Sequence, residues 1–235
     1  MNDKDAHRRW PTVEQNVACA DAYNLLSLLL QFPTLELAEG LSLGGVQTDM
    51  RAIGSELGLD QHRVETIAAD LDALCLGADK EELRENMRRE YTRLFNHPDH
   101  PQVPLYEGVF IAEYGKGLLS KAERPRMFVN AAALDAERCY KTLGLRPDGD
   151  AQMPGDCMST ELLYLGILHE GCAKCLLEGD RAALEGYQDK VSEFAQAHGS
   201  KWFHDFFSAC VRESGDVYGR VGAFGLLVAD NLLGR

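Results

Sequence analysis

The sequence of 235 residues predicts an all-α protein, a single globular domain of about 9 to 11 helices. Apolar side chains recur at helical spacing, as in the stripe that runs from Leu83 through Met87 and Tyr91 to Phe95. Residues that commonly begin helices precede several such stripes. Alternating β-branched runs, and Asn-Gly or Asp-Gly turns between such runs, are absent from the sequence.

The first predicted helix follows Thr12, which forms a capping-box pattern with Gln15. This helix is largely apolar and extends to about Gln31, just before a proline. Residues 1–11 are polar and end in a proline, so we expect a loose N-terminal arm. The helical domain is then expected to span 12–235.

Three further helices are predicted to begin after the polar residues Thr48, Asp60 and Asp79. The helix after Asp79 carries the apolar stripe described above. Residues 96–107 contain three prolines and two histidines, so no helix can continue through them. We expect an ordered loop or a hinge there.

The second half of the chain is predicted to be helical with one long interruption. Helical patterns return at 108–122 and 130–142, and the glycines and prolines of 144–156 predict a second loop or hinge. The C-terminal helices are expected at 157–178, 180–198, 200–213 and 216–233, with Asp180, Ser200 and Asp216 as N-caps.

The charge and cysteine content of the chain indicate which classes of partner and which cellular compartment to expect. It has 37 acidic and 24 basic residues and a net charge of −13, which repels nucleic acid and anionic lipid surfaces and attracts basic partners. Its seven cysteines are an odd number and fall in helix-like apolar segments, as reduced thiols of a cytoplasmic protein do. The sequence shows neither a signal peptide nor a membrane span, so we expect no stable membrane insertion.

Two segments carry the functional signal. EYTRLF at 90–95 leads through the proline loop to Tyr106 and Glu107, and MPGDCMSTEL occupies 153–162. Both place carboxylates beside an apolar helix face, and such a surface suits a peptide that is both basic and apolar. This pattern predicts recognition and not catalysis. The alternative for EYTRLF is core packing, with Glu90 as an ion-paired flank.

EYTRLF, the proline loop and the following PLYEGVF resemble a signature of the TorD/DmsD family of molybdoenzyme chaperones. The family's second signature, PxDHxxxEL, is matched at Pro154, Asp156, Glu161 and Leu162, but Cys157 replaces its histidine. A thiol is a weak hydrogen-bond donor and does not titrate as an imidazole does. The resemblance covers roughly residues 12–233 and implies a TorD-like helical fold.

The resemblance implies a cytoplasmic chaperone that binds the twin-arginine signal peptide and apo form of a molybdopterin-containing oxidoreductase until its cofactor is inserted. Carboxylates would receive the guanidinium groups, and aromatic rings would contact the apolar stretch. The peptide-binding residues implied in this way are Tyr106, Glu107, Phe110, Tyr114, Asp156, Cys157 and Glu161.

Simpler roles remain open for several of these residues. Asp156 precedes a predicted helix, and one alternative is that it serves as the N-cap of that helix and has no other role. For Glu161 the alternative is that it does no more than interact favourably with the helix dipole. His169 is expected to be a packed or exposed histidine and not a ligand.

Alternative functions are a NarJ-type nitrate reductase chaperone, a helical adaptor without a peptide groove, and a metal or redox protein built on Cys157, Cys172 and Cys175. No phosphate-loop pattern and no nucleophile set is visible, so we expect no enzyme, no cofactor and no metal. Whether a guanine nucleotide binds is left open. The two long loops would permit exchange of helices, so a homodimer is compatible with the sequence.

Overall fold

The computed structural model describes residues 11–98, 100–113, 130–145 and 154–234. Within these ranges the chain forms eleven α-helices and one π-helical turn, which confirms the all-α prediction. The helices are α1 (Val13–Leu29), α2 (Leu35–Ser42), α3 (Gly45–Glu56), α4 (Gln61–Cys75), α5 (Lys80–Phe95), α6 (Glu107–Glu113), α7 (Ala131–Lys141), α8 (Met158–Glu178), α9 (Arg181–Phe194), α10 (Ser200–Glu213) and α11 (Val217–Leu233), and the π turn spans Ala195–Gly199. Residues 1–10 of the expected N-terminal arm lie outside the described ranges.

Two helix pairs form the centre of the molecule. The apolar α1 packs along α8, and the hydroxyl of Ser27 donates to the carbonyl of Ser159 at 2.7 Å. Helix α10 packs along α11, where Phe207 and Phe224 are buried. Burial of large apolar side chains at such contacts is the main stabilising term of the fold.

Several predicted helix starts are confirmed. The Thr12 side chain accepts from the Gln15 amide and the Gln15 side chain accepts from the Thr12 amide, which is a complete capping box. The predicted caps Asp60, Asp79, Asp180 and Asp216 each accept a backbone N–H of the helix that follows. Asp79 satisfies two backbone donors at its helix terminus, and each of the other three satisfies one.

The predicted cap at Thr48 is wrong. Helix α3 begins earlier, at Gly45, and Gly44 precedes it with φ of 79°, a left-handed conformation that glycine adopts readily. Thr48 lies inside α3, where its hydroxyl donates to the Gly44 carbonyl at 2.8 Å. The sequence analysis also missed α2, which Thr34 caps.

The predicted cap at Ser200 is also wrong. The π turn joins α9 to α10 without a break in the helical backbone, so no N-terminus has to be capped there. The Ser200 hydroxyl instead donates to the Gln196 carbonyl at 3.1 Å. The π turn carries His198, whose side chain is buried.

The EYTRLF segment has the packing role that was its alternative interpretation. Tyr91 and Phe95 are buried core residues. Glu90 is paired with Arg93 at 2.9 Å and accepts from the Ser214 hydroxyl at 2.8 Å. The segment therefore ties α5 to the start of α11, and Glu90 is its ion-paired flank.

The proline loop that follows α5 is packed against the protein. The Val103 amide donates to the Leu94 carbonyl at 2.8 Å, and both Val103 and Leu105 are buried. These contacts anchor the part of the loop that directly precedes α6. Most of the second predicted loop, 146–153, lies outside the described ranges.

None of the helices in the described part of the chain is long and apolar enough to cross a membrane.

Candidate functional site

The two sequence segments meet at an isolated antiparallel bridge between Tyr106 and Cys157. The Glu107 amide donates to the Asp156 carbonyl at 2.9 Å, and the Met158 amide donates to the Leu105 carbonyl at 2.8 Å. These bonds place the N-terminus of α6 beside that of α8. The predicted site residues from the two segments are therefore neighbours in space.

Asp156 connects three parts of the site. One carboxylate oxygen, Oδ2, accepts from the Gly108 amide and from the Asn130 side-chain amide, both at 3.0 Å. Asn130 in turn caps α7 by accepting from the Ala133 amide at 2.8 Å. Asp156 thus holds the beginnings of α6 and α7 together.

The reading of Asp156 as the N-cap of its own helix is wrong. Cys157 occupies the N-cap position of α8 and makes no side-chain capping bond. Its thiol lies 3.4 Å from the Ser159 hydroxyl and is fully buried. Asp156 instead points away from α8, towards the neighbouring helix starts.

Gly155 allows this close approach. A Cβ atom at Gly155 would lie 2.9 Å from the Ala133 carbonyl oxygen and 2.7 Å from Cγ of Glu137. The Tyr140 hydroxyl donates to the Gly155 carbonyl at 2.7 Å. The turn before Asp156 is therefore pressed directly against α7, where only glycine fits without a shift of the backbone.

Glu107, Glu161 and His198 form a buried cluster at the centre of the site. Nδ1 of His198 lies 2.6 Å from Oε2 of Glu107 and 3.8 Å from Oε1 of Glu161. The other oxygen of Glu161 accepts from the Trp202 indole N–H at 3.0 Å. We call these four side chains the acidic cluster.

Electrostatics in and around the acidic cluster disfavours ionised acids. Burial, together with the charge of Glu107, raises the pKa of Glu161 well above its ordinary value. Burial also raises the pKa of Asp156, although its bonds from Gly108 and Asn130 oppose that shift. The cluster thus holds more acidic groups than its single imidazole can neutralise.

A groove of about 720 Å³ opens above the acidic cluster. Glu107 and His198 line its inner end, and the outward faces of α6 and α7 line its sides. The side chains and backbone that form its walls belong to Gly108, Ile111, Ala112, Asn130, Ala131, Ala132, Asp135, Arg138 and Lys201. The groove therefore combines an apolar wall with acidic and basic groups.

The predicted site residues occupy different depths. Glu107, Asp156, Cys157 and Glu161 are buried and lie together around the bridge and the acidic cluster. Phe110 is also buried and packs on Trp202 with ring centroids 5.6 Å apart. Tyr106 is partly buried, and Tyr114 lies outside the described ranges.

The sequence analysis missed His198. Its partner Glu107 is 91 positions away in the sequence, and no recognised motif includes it. The available signal was indirect: two motifs that bring three carboxylates together require a positively charged or hydrogen-bonding partner. The HGSK segment just before Trp202 contains two candidates for such a partner, His198 and Lys201.

The other residues that were considered for chemistry have structural surroundings. His169 was expected to be either packed or exposed, and it is buried. Its Nδ1 lies 2.9 Å from the side-chain oxygen of Asn16. Cys172 and Cys175 are buried within α8 as free thiols. Burial raises the pKa of the Cys172 thiol to about 11, which disfavours the reactive thiolate.

A family model described as nitrate reductase delta subunit matches residues 58–208, a range that contains both motif segments, His198 and Trp202. The chain therefore belongs to this family of NarJ- and TorD-type redox enzyme maturation chaperones. Its family role is maturation of a molybdoenzyme, which agrees with the expectation of a chaperone that is not an enzyme.

Among solved structures, the chain is similar to a candidate redox enzyme maturation protein from Archaeoglobus fulgidus, with 22% identity and a TM-score of 0.48. The alignment covers 88% of this chain and 91% of that chain. A search of curated protein sequences finds no significant match.

Proposed function

We propose that the protein is a cytoplasmic chaperone of the TorD/DmsD type, which binds the twin-arginine signal peptide of a molybdopterin-containing oxidoreductase. It would hold the apoprotein until the cofactor is inserted and export can begin. The observation that carries this proposal is the groove, which the buried acid Glu107 lines together with Ile111 and small alanine residues. Family membership supports the maturation role.

The apolar wall suits the hydrophobic part of a signal peptide. Ile111 on α6 is 39% exposed although its neighbour Phe110 is buried, and small alanine side chains from α6 and α7 line the groove beside it. A helical or extended apolar segment can pack closely against such small residues. Its burial would contribute roughly 25 cal/mol per Å² of apolar surface.

The acidic groups suit the arginine pair. Asp135 on α7 has 47% of its side-chain surface exposed at the groove, and Glu107 lies deeper. A guanidinium group bonds a carboxylate with two parallel hydrogen bonds, each contributing about 1.5 to 3 kcal/mol. The net charge of −13 adds a field that attracts the basic end of the peptide.

The remaining predicted site residues have supporting roles in this proposal. Asp156 holds α6 and α7 in place, and Glu161 shares the buried His198 side chain with Glu107. Tyr106, Cys157 and Phe110 do not line the groove; Tyr106 and Cys157 form the bridge that joins the two segments, and Phe110 packs on Trp202. Tyr114 directly follows the described end of α6 and keeps its predicted role as an aromatic contact.

Calorimetry with synthetic peptides tests the proposal. The twin-arginine leader encoded beside the gene should bind, and a matched peptide with two lysines should bind roughly 10-fold more weakly, because an ammonium group cannot form the paired bonds. Light scattering of the complex measures whether one or two copies of the chain hold the peptide. Absence of binding to any such leader would refute the proposal.

Groove variants locate the site. Asp135→Asn should weaken binding about 10-fold, and Ile111→Ser should weaken it by a similar factor, because each removes one class of contact. Leu177→Ser is the matched control, since Leu177 is a 75% exposed apolar residue of α8 that does not line the groove. Equal losses in Ile111→Ser and Leu177→Ser would place the peptide elsewhere.

A NarJ-type role is the second candidate, and the description of the matching family as nitrate reductase delta subunit favours it. The client in that case lacks an exported signal. A peptide from the N-terminus of a nitrate reductase catalytic subunit would then bind more tightly than any twin-arginine leader. The same calorimetric series distinguishes the two roles.

A further inference from the structure

The acidic cluster buries two glutamates beside a single histidine. The side chains of Glu107, Glu161 and His198 are 3%, 0% and 2% exposed. Buried acids are paired, protonated or bound to a metal ion, because an isolated buried charge is very costly. Two glutamates share one imidazole here, and Asp156 lies beside them as a third acid.

Two buried atoms of the cluster lack hydrogen-bond partners within the described part of the chain. With both glutamates ionised, Oε1 of Glu161 accepts no hydrogen bond and lies 3.8 Å from Nδ1 of His198, whereas a protonated Glu161 shares its proton with Glu107. Nε2 of His198 is likewise buried without a hydrogen bond. Buried polar atoms are rarely left unpaired unless a ligand or water uses them.

The spacing of the three side chains fits a metal ion. One ligand atom from each lies within 4.8 Å of the others. Two ligands that bind zinc tetrahedrally at about 2.0 to 2.1 Å are roughly 3.3 Å apart. Nδ1 of His198 is hydrogen-bonded to Glu107 at 2.6 Å and lies 3.8 Å from Glu161, so metal binding would lengthen the first separation and shorten the second by less than about 1 Å each.

Neighbouring groups would orient the ligands. The Trp202 indole N–H holds the second oxygen of Glu161 at 3.0 Å, which leaves Oε1 directed into the cluster. Oδ2 of Asp135 lies 3.6 Å from Nε2 of His198. If Nδ1 binds a metal, Nε2 carries the proton and can donate it to Asp135, an arrangement typical of metal-bound histidines.

We propose that Glu107, Glu161 and His198 bind a divalent metal ion of the zinc type, with its fourth coordination position open to the groove. The imidazole ligand favours Zn²⁺, Co²⁺ or Ni²⁺ over Mg²⁺ and Ca²⁺, which prefer shells of oxygen ligands. Glu107 and His198 both line the groove, so an entry path exists. The site does not depend on the peptide-binding proposal. A bound cation would nevertheless compete with a peptide guanidinium for Glu107.

Cobalt is the probe that separates this site from the cysteines. The full chain is treated with a chelator, exchanged into metal-free buffer and titrated with Co²⁺. One equivalent should produce weak visible bands of a low-coordinate oxygen and nitrogen site, without the intense near-ultraviolet band of cobalt bound to thiolate. Zn²⁺ should displace the cobalt stoichiometrically and raise the melting temperature, because it binds the folded state.

Variants identify the ligands. Glu161→Gln keeps an acceptor for the Trp202 indole but removes the negative charge of the ligand. Loss of a group that only hydrogen-bonds a metal ligand lowers metal affinity roughly 10- to 100-fold, and we expect Glu161→Gln to lower the Co²⁺ affinity by more than that. Asp135 is partly exposed and contacts only the histidine ligand, so Asp135→Asn should lower the Co²⁺ affinity about 10-fold. The exposed His62→Gln and the double substitution Cys172→Ser with Cys175→Ser are controls that should bind as wild type does.

Three results would overturn the proposal. Failure of the wild-type chain to bind Co²⁺ or Zn²⁺ would show that the acids are balanced by protons alone. A thiolate band abolished by Cys157→Ser or by the Cys172 and Cys175 substitutions would assign the metal to cysteines. Unchanged affinity in folded Glu161→Gln would exclude that ligand. If Glu161→Gln does not fold, Asp135→Asn and the melting shift of the wild type decide the question.

Discussion

Two buried histidines show how differently one residue type is used in this molecule. His169 on α8 and His198 in the π turn are both less than 9% exposed, and each stacks on an aromatic ring, Tyr23 and Phe194 respectively. His169 meets the neutral amide of Asn16. His198 meets the carboxylates of Glu107 and Glu161.

The surroundings of His169 define its protonation. The Asn16 amide nitrogen donates to the Pro11 and Thr12 carbonyls, so its oxygen must accept from Nδ1–H of His169. Burial lowers the pKa of His169 to about 4, so the ring is neutral near pH 7. The hydrogen bonds of the Asn16 side chain and of Nδ1 of His169 are therefore satisfied within α1, α8 and the residues just before α1.

The surroundings of His198 are not self-contained. Its partners are two acids, and one of their oxygens remains unpaired in the described structure. Burial of a histidine therefore does not by itself indicate function. A buried histidine matched by one amide stabilises a helix pair, whereas one outnumbered by acids beneath a groove indicates a binding site.

The largest effect on stability is expected from loss of the Asp156 carboxylate, which holds α6 and α7 beside the acidic cluster. Asp156→Ala removes the acceptor of Gly108 and Asn130, so one partly buried and one buried donor lose their partner. We expect a loss of roughly 3 to 5 kcal/mol in the free energy of unfolding, measured in urea. Asp156→Asn keeps one acceptor and should lose less, and a loss below about 1 kcal/mol in the alanine variant would contradict the bracing role.

The next effect tests the neutral histidine. The folded pKa of His169 is about 4 and the ordinary value is 6.5, so between these values the unfolded chain binds the extra proton. Stability should therefore fall by about 3 kcal/mol from this group as pH decreases through that window, and it should not change above it. Urea unfolding at several pH values should show a shallower slope in His169→Gln, and parallel slopes would contradict the shift.

A smaller effect concerns position 157, where this chain has cysteine and the TorD/DmsD signature that it resembles has histidine. Cys157 is fully buried, so Cys157→His inserts a larger ring into packed surroundings and should cost about 1 to 3 kcal/mol. Cys157→Ser, which conserves the shape, is the control in thermal unfolding. A Cys157→His variant as stable as the wild type would show that the pocket has room for the family residue.

The smallest effect is expected at the edge of the His169 region. Thr12→Ala removes the capping box of α1 next to Asn16 and should cost about 1 kcal/mol. Thr66→Ala provides the control, because Thr66 lies inside α4 and its hydroxyl donates only to the His62 carbonyl. Equal melting temperatures for the two variants would mean that the cap contributes nothing.

Local patterns predicted most of the fold. Thr12, Asp60 and Asp79 begin helices because a capping side chain and an apolar stripe lie close together in the sequence. The predicted N-caps Thr48 and Ser200 were wrong because the backbone conformation of neighbouring residues determines where these helices begin. Helix α3 begins earlier, directly after Gly44, and the π turn removes the terminus that Ser200 would cap.

The site was predicted in part. The resemblance brought Glu107, Asp156 and Glu161 to attention, and the structure brings them together at the bridge. Their burial and the arrival of His198 depend on how α9 and α10 pack, which no local pattern records. Asp156 was misread as a cap of α8 because its sequence position allows that role, whereas the chain turns its side chain towards α6.

The π turn has a consequence for the tolerance of this chain to deletions. Each residue of an α-helix advances the chain by about 100° around the axis, so one extra residue in a turn resets the orientation of everything that follows. Removing a single residue from Ala195–Gly199 would let α9 continue as a regular helix. Either His198 would then rotate out of the acidic cluster, or Trp202 and the buried face of α10 would rotate out of the core. Substitutions in this turn should therefore be tolerated far more often than length changes.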